Sequence, residues 1–191
     1  YMNNKNSKWY YWSRNINTLF YNMNILLTGS TGFLGFRTLE RLAKLPNVNK
    51  IVATGRNLQK SREISHPKVE YILGDLTDKV FVSTLMINID IVINTASLSS
   101  PWGSEDAFYS DNVITQANMI SSSKIAMVKQ FIYISSPSVY YNGEDRFMVK
   151  EKDLLPTKFV NNYSKTKRDA EILLEHSNLD YIIIRPRAII G

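Results

Sequence analysis

Residues 24–35 read Asn24-Ile25-Leu26-Leu27-Thr28-Gly29-Ser30-Thr31-Gly32-Phe33-Leu34-Gly35. A short apolar run passes straight into three glycines, which is the layout of a phosphate cradle. Gly29 permits a sharp turn with φ > 0, Gly32 lets the backbone approach a pyrophosphate, and Gly35 lets the following helix pack closely on its strand. An anion there would sit on free N–H groups at the helix start. A glycine-rich turn without a ligand has the same local sequence, so the flanking residues must decide between them.

Downstream, Leu34, Leu39, Leu42 and Leu45 are spaced as one buried stripe of a helix that starts at Thr31 and stops at Pro46. Residues 50–54 then read as a second buried strand, followed by a turn at Gly55, Arg56 and Asn57. The βαβ unit closes within about 30 residues, as a dinucleotide-binding pattern requires. At the end of that second strand an acid would bond the ribose 2′-hydroxyl of NAD, whereas a neutral residue with a nearby arginine leaves room for the extra phosphate of NADP. Thr54, Gly55 and Arg56 stand there, so NADP is preferred over NAD. The alternative is that Arg56 is only a solvated turn residue.

A third strand, residues 69–73, ends in Gly74-Asp75-Leu76-Thr77-Asp78. Asp75 is a candidate acceptor for an adenine amino group, and Asp78 is placed to cap a helix beginning near Lys79. After a fourth strand, residues 90–94, come Thr95, Ala96 and Ser97, small enough to let a cofactor lie against the strand's carboxyl end. The loop of Ser99, Ser100, Pro101, Trp102 and Gly103 reads as a substrate-pocket wall, or with Trp102 as a lid over the core. It leads to a helix that contains Asn112, Val113 and Asn118. A fifth strand, residues 130–134, delivers Ser135, Ser136, Pro137 and Ser138. A further helix opens at Asn161, and on it Tyr163, Lys167, Ala170 and Leu174 share one face. Residues 181–185 form a sixth strand, closed by Pro186. Strands alternating with helices throughout argue for an α/β fold, a parallel sheet covered on both faces.

With 191 residues, 44% hydrophobic and 21% charged, the chain suits one globular domain. Zero cysteines exclude a disulfide framework, a thiolate metal site and a cysteine nucleophile, and two scattered histidines, His66 and His176, argue against a metal site. No apolar run approaches the roughly 20 residues that span a bilayer, so a soluble, cytoplasmic protein is expected. Half of the net charge of +6 comes from Lys5, Lys8 and Arg14, in a start without acids. What remains forms no dense basic stripe for nucleic acid, and suits a phosphorylated ligand better. Residues 1–22 mix asparagine with Trp9, Tyr10, Tyr11, Trp12, Phe20 and Tyr21 without periodicity. They read as a poorly ordered extension in front of a domain at 23–191, a targeting segment being the alternative.

Taken together, Thr28-Gly29-Ser30-Thr31-Gly32-Phe33-Leu34-Gly35, Gly74-Asp75-Leu76, Asn112-Val113, Ser135-Ser136 ahead of Val139-Tyr140, Tyr163 with Lys167, and Arg185-Pro186 resemble an extended short-chain dehydrogenase/reductase of the epimerase/dehydratase superfamily. Ser100-Pro101-Trp102-Gly103, residues 135–140 and Arg185-Pro186-Arg187-Ala188 are most similar to its 3β-hydroxysteroid dehydrogenase-like branch. The resemblance implies a Rossmann-type doubly wound parallel sheet and hydride transfer between a nicotinamide and a secondary alcohol or ketone. Its catalytic residues would be Ser136, Tyr163 and Lys167. Its cofactor-binding residues would be Gly29, Thr31, Gly32, Phe33, Leu34, Gly35, Arg56, Asp75 and Leu76, then Thr95, Ala96, Ser97, Asn112, Ser135, Tyr163 and Lys167. A ketone accepting hydride develops negative charge on oxygen and needs a proton donor and a hydrogen-bond partner there. Tyr163 suits the donor, Ser136 the partner, and Lys167 is the cation expected to lower the tyrosine pKa.

Two departures bear on function. Dehydratases of the superfamily carry an acidic pair just after the serine position, where this chain has Pro137 and Ser138, so dehydration is not expected. Family members also continue beyond the sixth strand into a substrate subdomain, which is expected to be missing from a chain that stops at Gly191. Alternatives are a sugar-nucleotide epimerase and a non-catalytic dinucleotide-binding remnant. The substrate is a small molecule, hydrophobic in the preferred reading; oligomeric state, a homodimer included, is left open.

Overall fold

The computed structural model describes residues 22–100 and 102–190. The extension expected at residues 1–22 therefore lies, except for Asn22, outside the described residues, as do Pro101 and Gly191. Six strands form one wholly parallel sheet in the order β3-β2-β1-β4-β5-β6. They are β1 (Met23–Thr28), β2 (Val48–Ala53), β3 (Val69–Tyr71), β4 (Ile91–Asn94), β5 (Gln130–Ile134) and β6 (Tyr181–Ile184). The order runs outward from β1 in one direction and then from β4 in the other. The crevice between β1 and β4 is thus the switch point at which ligands bind in doubly wound sheets.

Alternation along β1 sorts the core into two layers. Leu26 faces one side with Val52, Val92, Phe131 and Tyr133, packed under α3 (Lys79–Leu85), α5 (Thr115–Ile125) and α6 (Asn162–Glu175). Ile25 and Leu27 face the other side with Ile51 and Ala53, under α1 (Phe33–Ala43). The line that α1 buries is Gly35, Leu39 and Ala43, four apart. Leu39 falls in the expected stripe, but Leu34 and Leu42 are only partly covered and Leu45 is exposed. The helix ends at Ala43, before Pro46, so Leu45 is carried off the buried face. On α1's side of β5 and β6 no described helix lies, and Ile182 and Ile184 remain exposed at the sheet edge.

The connections follow the turn chemistry. Asn57 accepts from the Lys60 N–H at the start of α2 (Leu58–Ser61). Asp78 accepts from the N–H groups of Val80 and Phe81, so it is the cap of α3. Asn161 accepts from Ser164 at the start of α6. The segment after β4 is less regular than its sequence suggests. α4 (Glu105–Tyr109) passes through one wide turn, a π-helix over Ser110–Ile114, into α5. Such turns recur at functional sites, and this one carries Asn112. Trp102 is 83% exposed, which excludes the reading of its side chain as a lid over the core.

Candidate active site

The glycine stretch behaves as three different solutions to crowding. Gly29 has φ of +65°, and a Cβ there would come within 2.7–2.9 Å of Thr95 Oγ1 and the Ala96 backbone. A Cβ on Gly35 would meet the Gly29 carbonyl oxygen at 2.1 Å. Gly32 is different, for its Cβ would approach only the Gly29 oxygen, at 3.2 Å, and otherwise open space. Gly32 is also the N-cap of α1, and no side chain bonds the helix's first N–H groups. Those donors and the positive end of the helix are therefore directed into the space that Gly32 leaves open.

That space is a cleft of about 310 Å³ over the switch point. Its walls bring together Gly29, Thr31, Gly32, Arg56, Asp75, Leu76, Thr95, Ala96 and Ser97, nine of the residues expected from sequence. Gly55, Asn57, Gly74, Asp111 and Thr115 join them without having been singled out as site residues. Phe33, Leu34, Gly35, Asn112, Ser135, Tyr163 and Lys167 do not line it. Gly35 is buried beneath the loop, where it serves close packing. Asn112 is consumed by the protein: its Oδ1 accepts from Leu98 N–H and Ser97 Oγ, and its Nδ2 donates to the Leu98 carbonyl and to Thr166 Oγ1. It fastens the loop after β4 to α6.

Below the cleft a buried polar chain braces β1 against β4. Thr28 Oγ1 donates to Asn94 Oδ1, Asn94 Nδ2 donates to Gln116 Oε1 at 2.6 Å, and Thr95 Oγ1 donates to the Thr28 carbonyl at 2.7 Å. On the outer wall Arg56 Nη2 donates to Asp111 Oδ2 at 3.1 Å. Asp75 accepts from the Thr77 N–H at 2.9 Å, and that bond, helped by the Arg56 charge, holds its carboxyl below the usual range.

A second group of polar residues lies at the carboxyl end of β5. Ser136 caps the 3₁₀ turn Pro137–Tyr140 by accepting from the Ser138 N–H. Tyr163, in the first turn of α6, packs its ring against Phe108 of α4, with centroids 6.5 Å apart. Burial raises its pKa above the ordinary phenol value, and the nearby Ser136 hydroxyl, which makes no hydrogen bond of good geometry with it, offsets part of the rise. Lys167 is 1% exposed; its Nζ donates to the Ile134 carbonyl at 2.6 Å and stands 4.2 Å from the Tyr133 ring centroid. Desolvation pulls it down to about 7, against the partial opposition of Glu171.

This corrects the expected electrostatics. Burial raises the Tyr163 pKa, where a lowering was expected, and the Lys167 Nζ is engaged with the Ile134 carbonyl. The strongest ionic feature nearby is one that helical spacing hides. Glu171, one turn beyond Lys167 and 0% exposed, receives Arg185 Nε and Nη2, each at 2.7 Å, and Arg168 Nη1 at 3.0 Å. Burial alone would raise its pKa, but these bonds hold it below the ordinary carboxylate value. Ser135 Oγ is close enough to assist, yet it makes no hydrogen bond of good geometry. Arg185 also donates to the Tyr140 hydroxyl, so the end of β6 is clamped to α6 and the 3₁₀ turn. The signal for this clamp was an arginine closing an apolar strand, with an acid between Ala170 and Leu174 on the buried face.

Comparison with known proteins agrees with this architecture. Residues 25–191 match the model of the NAD dependent epimerase/dehydratase family. The chain is 31% identical over 175 residues to a 2-alkyl-3-oxoalkanoate reductase of Shewanella oneidensis, covering 86% of this chain and 44% of that one. It is 29% identical over 160 residues to a 3-beta-hydroxysteroid dehydrogenase of Mycolicibacterium neoaurum, with 77% and 41% covered. The chain thus spans less than half the length of either relative. Among solved structures, the Bordetella bronchiseptica enzyme WbmH, in complex with NAD+, superposes with a TM-score of 0.78 at 22% identity, over 90% of this chain and 60% of that one. A parallel sheet wound outward from a glycine cradle, and a family match that runs from β1 to the last residue, establish that the chain belongs to the NAD dependent epimerase/dehydratase family.

Proposed function

We propose that the protein is an NAD(P)-dependent oxidoreductase that interconverts a secondary alcohol and a ketone, with NADP preferred and a hydrophobic substrate of the 3β-hydroxysteroid type. The observation that carries this reading is the grouping of Ser136, Tyr163 and Lys167 around the end of β5, in the same sheet as the glycine cradle at the end of β1. Two features support a dinucleotide in the cleft. Gly32 leaves room for a diphosphate against uncapped N–H groups, and no acid stands at the end of β2 to claim a ribose 2′-hydroxyl. The two relatives are named as an oxoalkanoate reductase and a hydroxysteroid dehydrogenase, which supports carbonyl chemistry.

When bound, a reduced nicotinamide supplies the hydride. The remaining work falls to the chain. Tyr163, protonated at neutral pH because burial raises its pKa, donates its proton to the substrate oxygen as negative charge develops there. Ser136 holds that oxygen by a hydrogen bond. Lys167, with a pKa near 7, can release the Ile134 carbonyl to bond ribose hydroxyls and can accept a proton at the pH of the cell. The test is Tyr163→Phe in the full chain, assayed for ketone-dependent oxidation of NADPH. Turnover should fall by about 10²- to 10⁴-fold while nucleotide binding persists. Retained turnover would remove Tyr163 as donor. Bound nucleotide with no net NADPH oxidation on any ketone would favour an epimerase instead.

A further inference from the structure

The outer wall of the cleft holds a charge arrangement that the preference for NADP does not by itself account for. Arg56, at the turn after β2, is the cation that a 2′-phosphate would use. Its Nη2 is already engaged with Asp111 Oδ2 at 3.1 Å. Asp111 comes from the π turn, 55 residues away in sequence, and both side chains line the same cleft. Thr115 Oγ1 donates to the Asp111 backbone carbonyl at 2.6 Å, so the turn that presents the carboxylate is fixed from the following helix. Among the described residues Arg56 is the only hydrogen-bond donor to that carboxylate. A second acid, Asp75, shares the wall and is kept ionised by its bonds to Thr77 and by the charge of Arg56. One guanidinium therefore faces two carboxylates before any ligand arrives.

An arginine in this setting still has unused donors, since its fork carries five N–H groups. Its charge is nonetheless shared. A ligand phosphate must either displace Asp111 or bind beside it, and like charges at that separation repel. Arg56 is 67% exposed and Asp111, at 24%, half-buried, so the pair is weak enough to be opened by a ligand and strong enough to bias the choice.

We propose that Asp111 is a specificity-determining residue: its carboxylate competes with the ligand's 2′-phosphate for Arg56, and so sets how far the protein favours NADP over NAD. This rests on the dinucleotide reading of the cleft. The consequence is a site with moderate discrimination that a single substitution away from the phosphate position can sharpen.

The test compares adenosine 2′,5′-bisphosphate with 5′-AMP, which differ only in the 2′-phosphate, by calorimetric titration of the full chain. Asp111→Asn should raise affinity for the bisphosphate by about 2- to 5-fold, the range of an exposed ion pair, and leave AMP within about twofold. In an Arg56→Gln background the same substitution should lose most of that effect, since the two residues would no longer be coupled. An unchanged or lowered bisphosphate-to-AMP ratio in Asp111→Asn overturns the proposal. So does an equal rise in both backgrounds, which would mean simple repulsion without competition for Arg56. If AMP binds while the ratio ignores Asp111, only this inference falls. If neither nucleotide binds the unaltered protein, the dinucleotide reading falls with it.

Discussion

Replacing Gly32 and Gly35 by alanine, one at a time, separates a glycine kept for a ligand from a glycine kept for the fold. At Gly35 the new Cβ would lie 2.1 Å from the Gly29 carbonyl oxygen and 2.6 Å from its carbon. Both are backbone atoms, so no rotamer change relieves the contact; α1 must lift from β1 by roughly 1 Å to restore ordinary separation. Overpacking of this kind costs about 1–3 kcal/mol and occasionally more, and backbone-on-backbone contact belongs at the upper end. For a chain of this size about 3 kcal/mol lowers Tm by roughly 6–12 °C. At Gly32 the single contact is 3.2 Å, and the backbone, φ −87° and ψ 173°, suits any residue. Reduced freedom of the unfolded chain there favours alanine by about 0.4–1 kcal/mol, so Gly32→Ala should melt within a few degrees of the unaltered protein. Its methyl would stand where a diphosphate must approach, so nucleotide affinity should drop by about tenfold or more. Circular dichroism melts and calorimetric titration with NADPH read the two effects separately. A Gly35→Ala protein that melts normally, or a Gly32→Ala protein that binds normally, would refute the assignment of roles.

Lys167 should leave a mark on the pH dependence of stability. Its folded pKa, about 7, lies below the ordinary 10.5, so between those values the unfolded chain binds more protons and stability rises with pH, by at most about 1.4 kcal/mol per unit. Denaturant unfolding at pH 6 to 9 should show that slope, and Lys167→Met should remove it; identical slopes would contradict the buried, weakly charged state. Glu171→Gln should be severe, because it strands Arg185 without its carboxylate, while Arg168 keeps Glu175: a loss of about 3–5 kcal/mol in the same assay, partly recovered by adding Arg185→Met. A loss below about 1 kcal/mol would mean that the clamp of β6 on α6 is solvated.

The frame of the fold was open to reading because it depends on short-range patterns. Residues 130–134 form a short, mostly apolar run that stops at Ser135, Ser136 and Pro137, and the strand found there has those limits. The cradle declares itself because three glycines serve one local turn. Asp78 caps α3 because a short acidic side chain just before a helix start can accept from the free N–H groups of its first turn. What escaped is what depends on distant partners. Nothing in Ser110-Asp111-Asn112-Val113-Ile114 marks a wide helical turn, and the four bonds that Asn112 makes from it go to Ser97, Leu98 and Thr166, distant in sequence. Arg56 could be read as a phosphate partner, but its pairing with Asp111 could not. Likewise Tyr163 and Lys167 were visible on one helix, while Glu171, the depth at which α6 buries all three, and hence the direction of each pKa, were not.

The bracing of the cleft also says when in folding it comes into being. Thr28 and Asn94 are 66 residues apart, and Thr95 reaches back 67 residues to the Thr28 carbonyl. Contacts of such span carry a large loop-closure cost and form after local helices and turns. The glycine turn can be made early from its own neighbours, but the floor and far wall of the cleft exist only once β4 has docked beside β1. A nucleotide that recognises the finished cleft therefore has nothing to hold in the early chain. Its stabilisation should appear as slower unfolding, with the folding rate left nearly unchanged.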